Sequence, residues 1–354
     1  VVVYEDSVAE LGSLLSSLGV QESRAENLVR SARLSAGAVE RARALSSLHQ
    51  LPKGLDLAGF GSLARFELTP SSDFDYLFVN SEQGVGYEEA ERGKKEQLVD
   101  EIRKNVVPGR TMAQPGRSGV FGKTIDDSAL TENIGLQPDS NVDMTRRVLF
   151  LEESVSLADP KAHDQTVRAL LDRYLEATPE STRLPRFLLN DIVRYWRTIA
   201  VDYQAKTDGS SPGPLRHLKL LIPRKLCYVA ALEPLFMIEK EQIKGRDKRL
   251  DFLAARYQKP ALIRLLRLLQ TVVRDDPSYW DDALAVVLVL DEYVGRSADA
   301  LWREEVRSSE SLPSGEVPRA YREMRKRGKD LHEVLGRLFS GSVMEDFTRE
   351  YLLF

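Results

Sequence analysis

The chain has 354 residues, of which 42% are hydrophobic and 29% charged, and its formal net charge is -4. The length exceeds what one ordinary domain needs, so two are expected, and the composition excludes a disordered or fibrous chain. The weak acidic charge excludes a whole-protein field that would draw in nucleic acid or an anionic membrane, so an anionic substrate must meet a local basic surface.

Cys227 is the single cysteine, which excludes an intrachain disulfide and a cysteine-rich zinc site. The opening VVVYEDSVAEL lacks the basic region and long apolar run of a secretory leader, so residence in the cytoplasm is expected. From about Ser7 to Leu48 apolar residues recur at helical spacing on either side of Gly19, which predicts two helices. Leu55–Phe66 mixes glycine with hydrophobic residues, and Thr69-Pro70-Ser71-Ser72 has turn chemistry. Phe74–Asn80 (FDYLFVN) is aromatic-rich and β-favouring, a short strand. Glu88–Val106 returns to helical spacing, and Pro108–Ser118 is a loop rich in Gly and Pro.

The second half reads as helices over Met144–Val155, Gln165–Leu175, Pro185–Ala205, Leu215–Phe236, Lys248–Val273, Ala283–Val306 and Ala320–Phe339, with Ser308–Pro318 a polar loop. No comparable strand pattern follows residue 125, and no fixed-period repeat is present. The longest apolar run, Ala283–Leu290, is bounded by Asp281, Asp282 and Asp291 and is too short to cross a bilayer, so no membrane partner is expected. The expected fold class is α+β, with a small mixed-sheet unit and N-terminal helices over residues 1–158 and an α-helical bundle over 159–354.

The chemistry concentrates in Gly61–Asp75, GSLARFELTPSSDFD. Asp73 and Asp75 are one residue apart at the start of the expected strand, so both carboxylates face the same way and Phe74 the other. Two close carboxylates repel, and burying them is costly unless a cation lies between them. Mg²⁺ (or Mn²⁺) suits such a pair, because it binds through one or two carboxylates and substrate phosphates. A pair of turn aspartates after Pro70 has the same spacing. Upstream, Gly61 allows close approach of backbone to a phosphate, and Ser62 adds an N–H and a hydroxyl.

GFGSLARFELTPSSDFDYLFV resembles the signature of the DNA polymerase β-like nucleotidyltransferase superfamily, in which a G-S element precedes a D-x-D pair. Its R-x-E-L-x-P-x-S-D-x-D form is most similar to the bacterial PII uridylyltransferase group, which carries a helical substrate-binding domain. The resemblance implies a nucleotidyltransferase catalytic domain over 1–158 and a helical nucleotide-binding domain over 159–354. It implies that Gly61 and Ser62 hold the nucleotide's phosphates and that Asp73 and Asp75 ligate the metal and are catalytic. Arg65 and Glu67 match the motif as well, either at the nucleotide or as a local ion pair that stiffens the loop. Asp143–Ala158 and Leu215–Leu226 are similar to later segments of the same group. The third carboxylate usual in the superfamily has no counterpart before Gly119–Thr124 (GVFGKT), where Gln114-Pro115-Gly116-Arg117 stands. Asp126 and Asp143 both lie where a helix N-cap is expected.

Between Arg183 and Lys225 nine basic residues face three acids, Asp191, Asp202 and Asp208. Arg186, Asn190, Arg194 and Arg197 recur on one helical face, and Arg216 and Lys219 lie one turn apart on the next helix. Arg194, Arg197, Arg216 and Lys219 are therefore candidates for the triphosphate, although a solvated helix face has the same pattern. Tyr195 and Trp196 suit a helix core, Cys227 a buried apolar run, and His49, His163, His217 and His332 have no metal-ligand spacing. The basic cluster Arg319–Lys329 suits an exposed helix end or a contact with RNA or an acidic protein.

The function expected is Mg²⁺-dependent transfer of a nucleoside monophosphate from an NTP such as ATP to an acceptor hydroxyl. A protein side chain ranks first as acceptor, RNA second and dinucleotide synthesis third, and no DNA partner is expected. A nucleotide-binding regulatory module without turnover is the alternative.

Overall fold

A computed structural model describes residues 4–81, 89–115, 119–132, 134–135, 139–176, 178, 184–205, 213–308 and 317–352. Arg183, Lys206, Asp208, Gly116 and Arg117 lie outside the described residues, as do residues 309–316 of the polar loop.

Two helices open the chain, α1 (Tyr4–Ser17) and α2 (Glu26–His49), separated by Gly19 at φ +68°. Four strands follow with helices between them: β1 (Leu55–Phe60), α3 (Ser62–Arg65), β2 (Tyr76–Asn80), α4 (Glu89–Asn105), β3 (Lys123–Asp126), α5 (Ser128–Thr131), α6 (Asn141–Glu152) and β4 (Ser154–Ser156). They form one mixed sheet in the order β3-β2-β1-β4. β1 is antiparallel to both β2 and β4, and β2 is parallel to β3. The remainder is helical: α7 (Pro160–Glu176), α8 (Arg186–Ala205), α9 (Pro214–Lys219), α10 (Lys225–Lys240), α11 (Arg246–Tyr257), α12 (Ala261–Asp275), α13 (Trp280–Ala298), α14 (Ala300–Arg307), α15 (Arg319–Ser340) and α16 (Glu345–Phe347). The fold is thus mostly helical with a small mixed sheet, an α+β arrangement. Among the described residues no helix is long and apolar enough to cross a membrane.

Several elements differ from the sequence expectation, each for a local reason. β4 occupies Ser154–Ser156, inside the span expected to continue a helix to Val155. Here Asp56 on β1 accepts hydrogen bonds from Ser156 Oγ (2.7 Å) and the backbone N–H groups of Ala158 and Asp159, holding the segment to the sheet edge. The helix expected over Lys248–Val273 divides into α11 and α12 because Pro260, at ψ 145°, leaves the helical region. The helix expected over Ala283–Val306 divides at Asp299, whose carboxylate accepts from the N–H groups of Leu301 and Trp302 and starts α14. Ser140, not Asp143, caps α6: its Oγ accepts from Asp143 N–H and donates to Asp143 Oδ2 (2.7 Å). Asp126 ends β3 and accepts from Asn80 Nδ2.

The N-terminal helices pack on the C-terminal ones, α1 against α12 and α2 against α13. Asp291 on α13 accepts from Leu28 N–H (2.9 Å) and Asn27 Nδ2 (2.8 Å), so a carboxylate from a distant helix satisfies the open end of α2. A second charged anchor joins α6, α7 and α8. Arg147, 1% exposed, donates to both oxygens of Asp139 and to Asp191 Oδ2, which also accepts from Tyr174 Oη. Removing the guanidinium would strand two buried carboxylates, at a cost of about 3–5 kcal/mol. Arg147→Leu is therefore expected to lower the urea midpoint by that free energy, and Asp191→Asn by less, since the amide keeps one acceptor.

Candidate functional site

β1 runs into Gly61 at φ +71° and ψ −139°, a conformation open essentially to glycine alone. The chain then makes the single turn α3 and leaves it through Phe66 in the left-handed region, φ 69°. That position costs a non-glycine residue of order 1–3 kcal/mol, offset by burial of the Phe66 ring edge-on against Tyr4 (centroids 5.0 Å). The turn at Pro70 is closed from both sides, Thr69 N–H to Ser72 Oγ and Ser72 N–H to Thr69 O, each 3.0 Å. Asp73, Phe74 and Asp75 then lead into β2. Phe60 N–H bonds to Asp75 O, so the ends of β1 and β2 are clamped together. Phe74 is buried while the carboxylates of Asp73 and Asp75 line a cleft, the alternation expected of a strand.

The cleft encloses about 1030 Å³, counted out to the solvent at its mouth. One wall is the motif: Gly61, Ser62, Arg65, Glu67, Thr69, Ser71, Ser72, Asp73 and Asp75. Of the residues expected to hold nucleotide, Lys219 joins them on the facing wall. Arg194, Arg197 and Arg216 do not line the cleft. Arg194 pairs with Asp191 (3.1 Å) in the Arg147 cluster, and Arg197 and Arg216 are exposed. Arg186 lies over the Tyr351 ring.

The facing wall carries residues that periodicity does not reveal. Arg224 and Arg303 converge with Lys219 there, and Tyr195 and Tyr293 supply ring surface. Lys219 and Arg224 share that wall because Leu220–Arg224 is a π turn. Residues five apart lie over one another in a π turn but diverge in an α-helix. Pro223 stands inside it and cannot donate the usual backbone bond. Trp196 is stacked on Tyr228 (5.5 Å), and Cys227 is buried beside Glu152 and Glu153 (3.9 and 3.8 Å).

Arg65 is the pivot. Its Nε donates to Glu67 Oε2 (3.0 Å) and its Nη1 to Glu153 at the end of α6. Both roles weighed for it thus meet in one side chain, since it lines the cleft and forms the local ion pair. Glu153 is a further carboxylate in the cleft, and its charge acts on Asp75. Phe121 lies level with Asp75, because Gly122 N–H bonds to Tyr76 O at the head of the β2–β3 ladder. The strand next to the D-x-D pair therefore offers an aromatic ring there and no acid.

Neither Asp73 nor Asp75 accepts a side-chain hydrogen bond or salt bridge from the described residues. Burial pushes the Asp75 carboxyl up to about 6, helped by the charges of Asp73 and Glu153 and opposed by Lys219 and Arg65. Burial lowers the Lys219 ammonium and Asp73 raises it. The donor set suits a hard divalent cation, two carboxylates with open lone pairs beside hydroxyls of Ser62 and Ser72. Among the described residues no group of three or more His, Cys, Asp or Glu side chains is arranged to hold a metal. The four histidines are dispersed: His49 meets Glu101, His163 meets Ser154, His217 meets Tyr321 and His332 is exposed.

No protein-family model matches this chain. No curated protein matches it with significant similarity.

The raised Asp75 carboxyl has a consequence for stability. Its folded value lies above the unfolded 3.8, so the native state binds the extra proton between about 4 and 6. The penalty for ionised Asp75 is absent below about pH 4 and complete above pH 6. Asp75→Asn is expected to melt higher than the parent at pH 7.5 without divalent cation, with the difference closing towards pH 4, as scanning calorimetry across that range would show.

Proposed function

We propose that the chain is a cytoplasmic, divalent-cation-dependent nucleotidyltransferase, moving a nucleoside monophosphate from an NTP to an acceptor hydroxyl. The observation that carries this reading is the opposition, across one cleft, of two unpaired carboxylates and three cations without ion pairs among the described residues. A metal–triphosphate complex has the complementary pattern, with cation at one end and excess negative charge at the other.

Asp73 and Asp75 would hold Mg²⁺ or Mn²⁺, which when bound neutralises the carboxylate pair and the phosphate under attack. Gly61 and Ser62 approach the phosphates from the β1–α3 turn, and Lys219 and Arg224 grip them from the facing wall. Arg65 keeps the loop in place. The acceptor oxygen bonds to the α-phosphorus, the bond from that phosphorus to the bridging oxygen breaks, and pyrophosphate leaves. The acceptor's proton passes to a carboxylate of the cleft, for which Glu153 is the group outside the D-x-D pair. Catalysis here is positioning and charge neutralisation. A protein side chain is the first choice of acceptor, then an RNA end.

One observation favours a second reading, a nucleotide-binding regulatory module. Glu153 is clasped by Arg65, and Phe121 stands where the neighbouring strand reaches the carboxylates.

Pyrophosphate release from each of the four NTPs with Mg²⁺ or Mn²⁺, in the presence of cell lysate, tests the choice. Asp73→Asn and Asp75→Asn should each reduce release at least a hundredfold, about 3 kcal/mol of lost charge stabilisation. Lys219→Ala should weaken NTP binding about tenfold, the scale of one charge-assisted contact. Tight NTP binding with no turnover on any acceptor would establish the regulatory module instead.

A further inference from the structure

Beyond the cleft, the sequence holds one basic cluster that nucleotide binding does not use. On α15, Arg322, Arg325, Lys326 and Lys329 are exposed and recur at i, i+3, i+4 and i+7, so they share one face. The buried residues of the same helix, Tyr321, Met324, Gly328 and Leu331 among them, occupy the opposite side. The face therefore looks straight into solvent.

Its charges are also unusual for this molecule. Elsewhere exposed arginines pair along or between helices, as Arg92 does with Glu96, Arg168 with Asp164 and Arg337 with Asp282. The four cations on the α15 face form no ion pair with any described residue, nor does Arg216 on α9. The nearest acids are committed elsewhere: Glu323 to Arg319 and Glu305 to the Ala320 N–H.

α9 packs against both α14 and α15 and joins this face to the cleft. Lys219 points into the cleft and Arg216, one turn earlier, stands outside. Between them His217 bonds through Nδ1 to Tyr321 Oη (2.6 Å) and stacks on Tyr203 (centroids 5.1 Å, planes 18° apart). Burial lowers the His217 pKa, and Arg325 and Lys225 are close enough to lower it further. A pair of half-buried stacked rings thus sits amid unpaired cations.

We propose that the outer face of α9 and α15 binds a single-stranded polynucleotide, its phosphates on Arg216, Arg322, Arg325, Lys326 and Lys329 and a base against the Tyr203–His217 rings. Cations spaced along a helix match a chain with one charge per residue, and ring surface is what bases stack on. An acidic peptide would use the charge and leave the rings idle. The proposal does not depend on nucleotidyl transfer in the cleft.

Fluorescence anisotropy with the full chain tests it, using labelled U12 RNA, T12 DNA and a twelve-residue polyglutamate peptide. Five neutralised phosphates predict about a hundredfold loss of affinity between roughly 50 and 200 mM salt. The Arg325→Ala/Lys326→Ala/Lys329→Ala variant, altered only at exposed positions, should bind at least tenfold more weakly, with a log–log salt slope shallower by about 2. Tyr203→Leu should weaken binding about tenfold and leave that slope unchanged. Preference for U12 over T12, or the reverse, identifies the polynucleotide. Failure to bind either strand, equal or tighter binding of polyglutamate, or a triple variant with parental affinity and slope would each overturn the proposal.

Discussion

The geometry of the cleft hangs on one buried arginine. Arg65 is held between Glu67, two residues along the same loop, and Glu153, where α6 ends and β4 begins. Burial alone would push Glu67 up, and the adjacent guanidinium draws it back. In so dry a setting the pairing matters mainly because losing either partner would leave a charge with no counterion, at a cost of about 3–5 kcal/mol. β4 pairs with β1, and β1 delivers Gly61. The position of the whole loop from Gly61 to Asp75 is therefore referred back to the sheet through one side chain.

The two faces of the cleft come from opposite halves of the chain. The acidic face is built by the sheet and its loop, and the basic face by α9, the π turn and α14. What keeps them at a fixed separation is packing well away from the cleft. α1 is laid against α12 and α2 against α13, with Asp291 bonded to the start of α2. A cofactor or substrate that bridges the faces consequently meets charges already in position, and little reorganisation is left for the moment of reaction.

The residues that define the acidic face were legible in the sequence because a short motif fixes them locally: a glycine that must take positive φ, a proline turn, and carboxylates with strand alternation. Lys219 was also legible, but its neighbours on the basic stretch were not separable from it. Arg194 and Arg197 have the same helical spacing whether they meet a ligand, a buried carboxylate or water, and Arg194 went to Asp191. Arg303 and Glu153 had no signal, since their approach to the cleft depends on how α14 and α6 pack rather than on nearby sequence. Helix breaks at Pro260 and Asp299 were readable in principle as a pre-proline restriction and a cap, but continuous apolar periodicity masked them. β4 is three residues long, and its order comes from hydrogen bonds to Asp56, about a hundred positions away.

The π turn at Leu220–Arg224 makes chain length, more than residue identity, the constrained quantity in this part of the molecule. A π turn is an α-helix carrying one surplus residue. Losing any single residue there would let the segment relax to α-helix and swing everything beyond it by about 100° relative to α9. Arg224 would leave the basic face, and the buried stripe of α10, Leu226, Val229 and Ala230, would turn out of register with α12. Side chains in this stretch can drift among related proteins, but an insertion or deletion would dismantle the wall and the core behind it in one step.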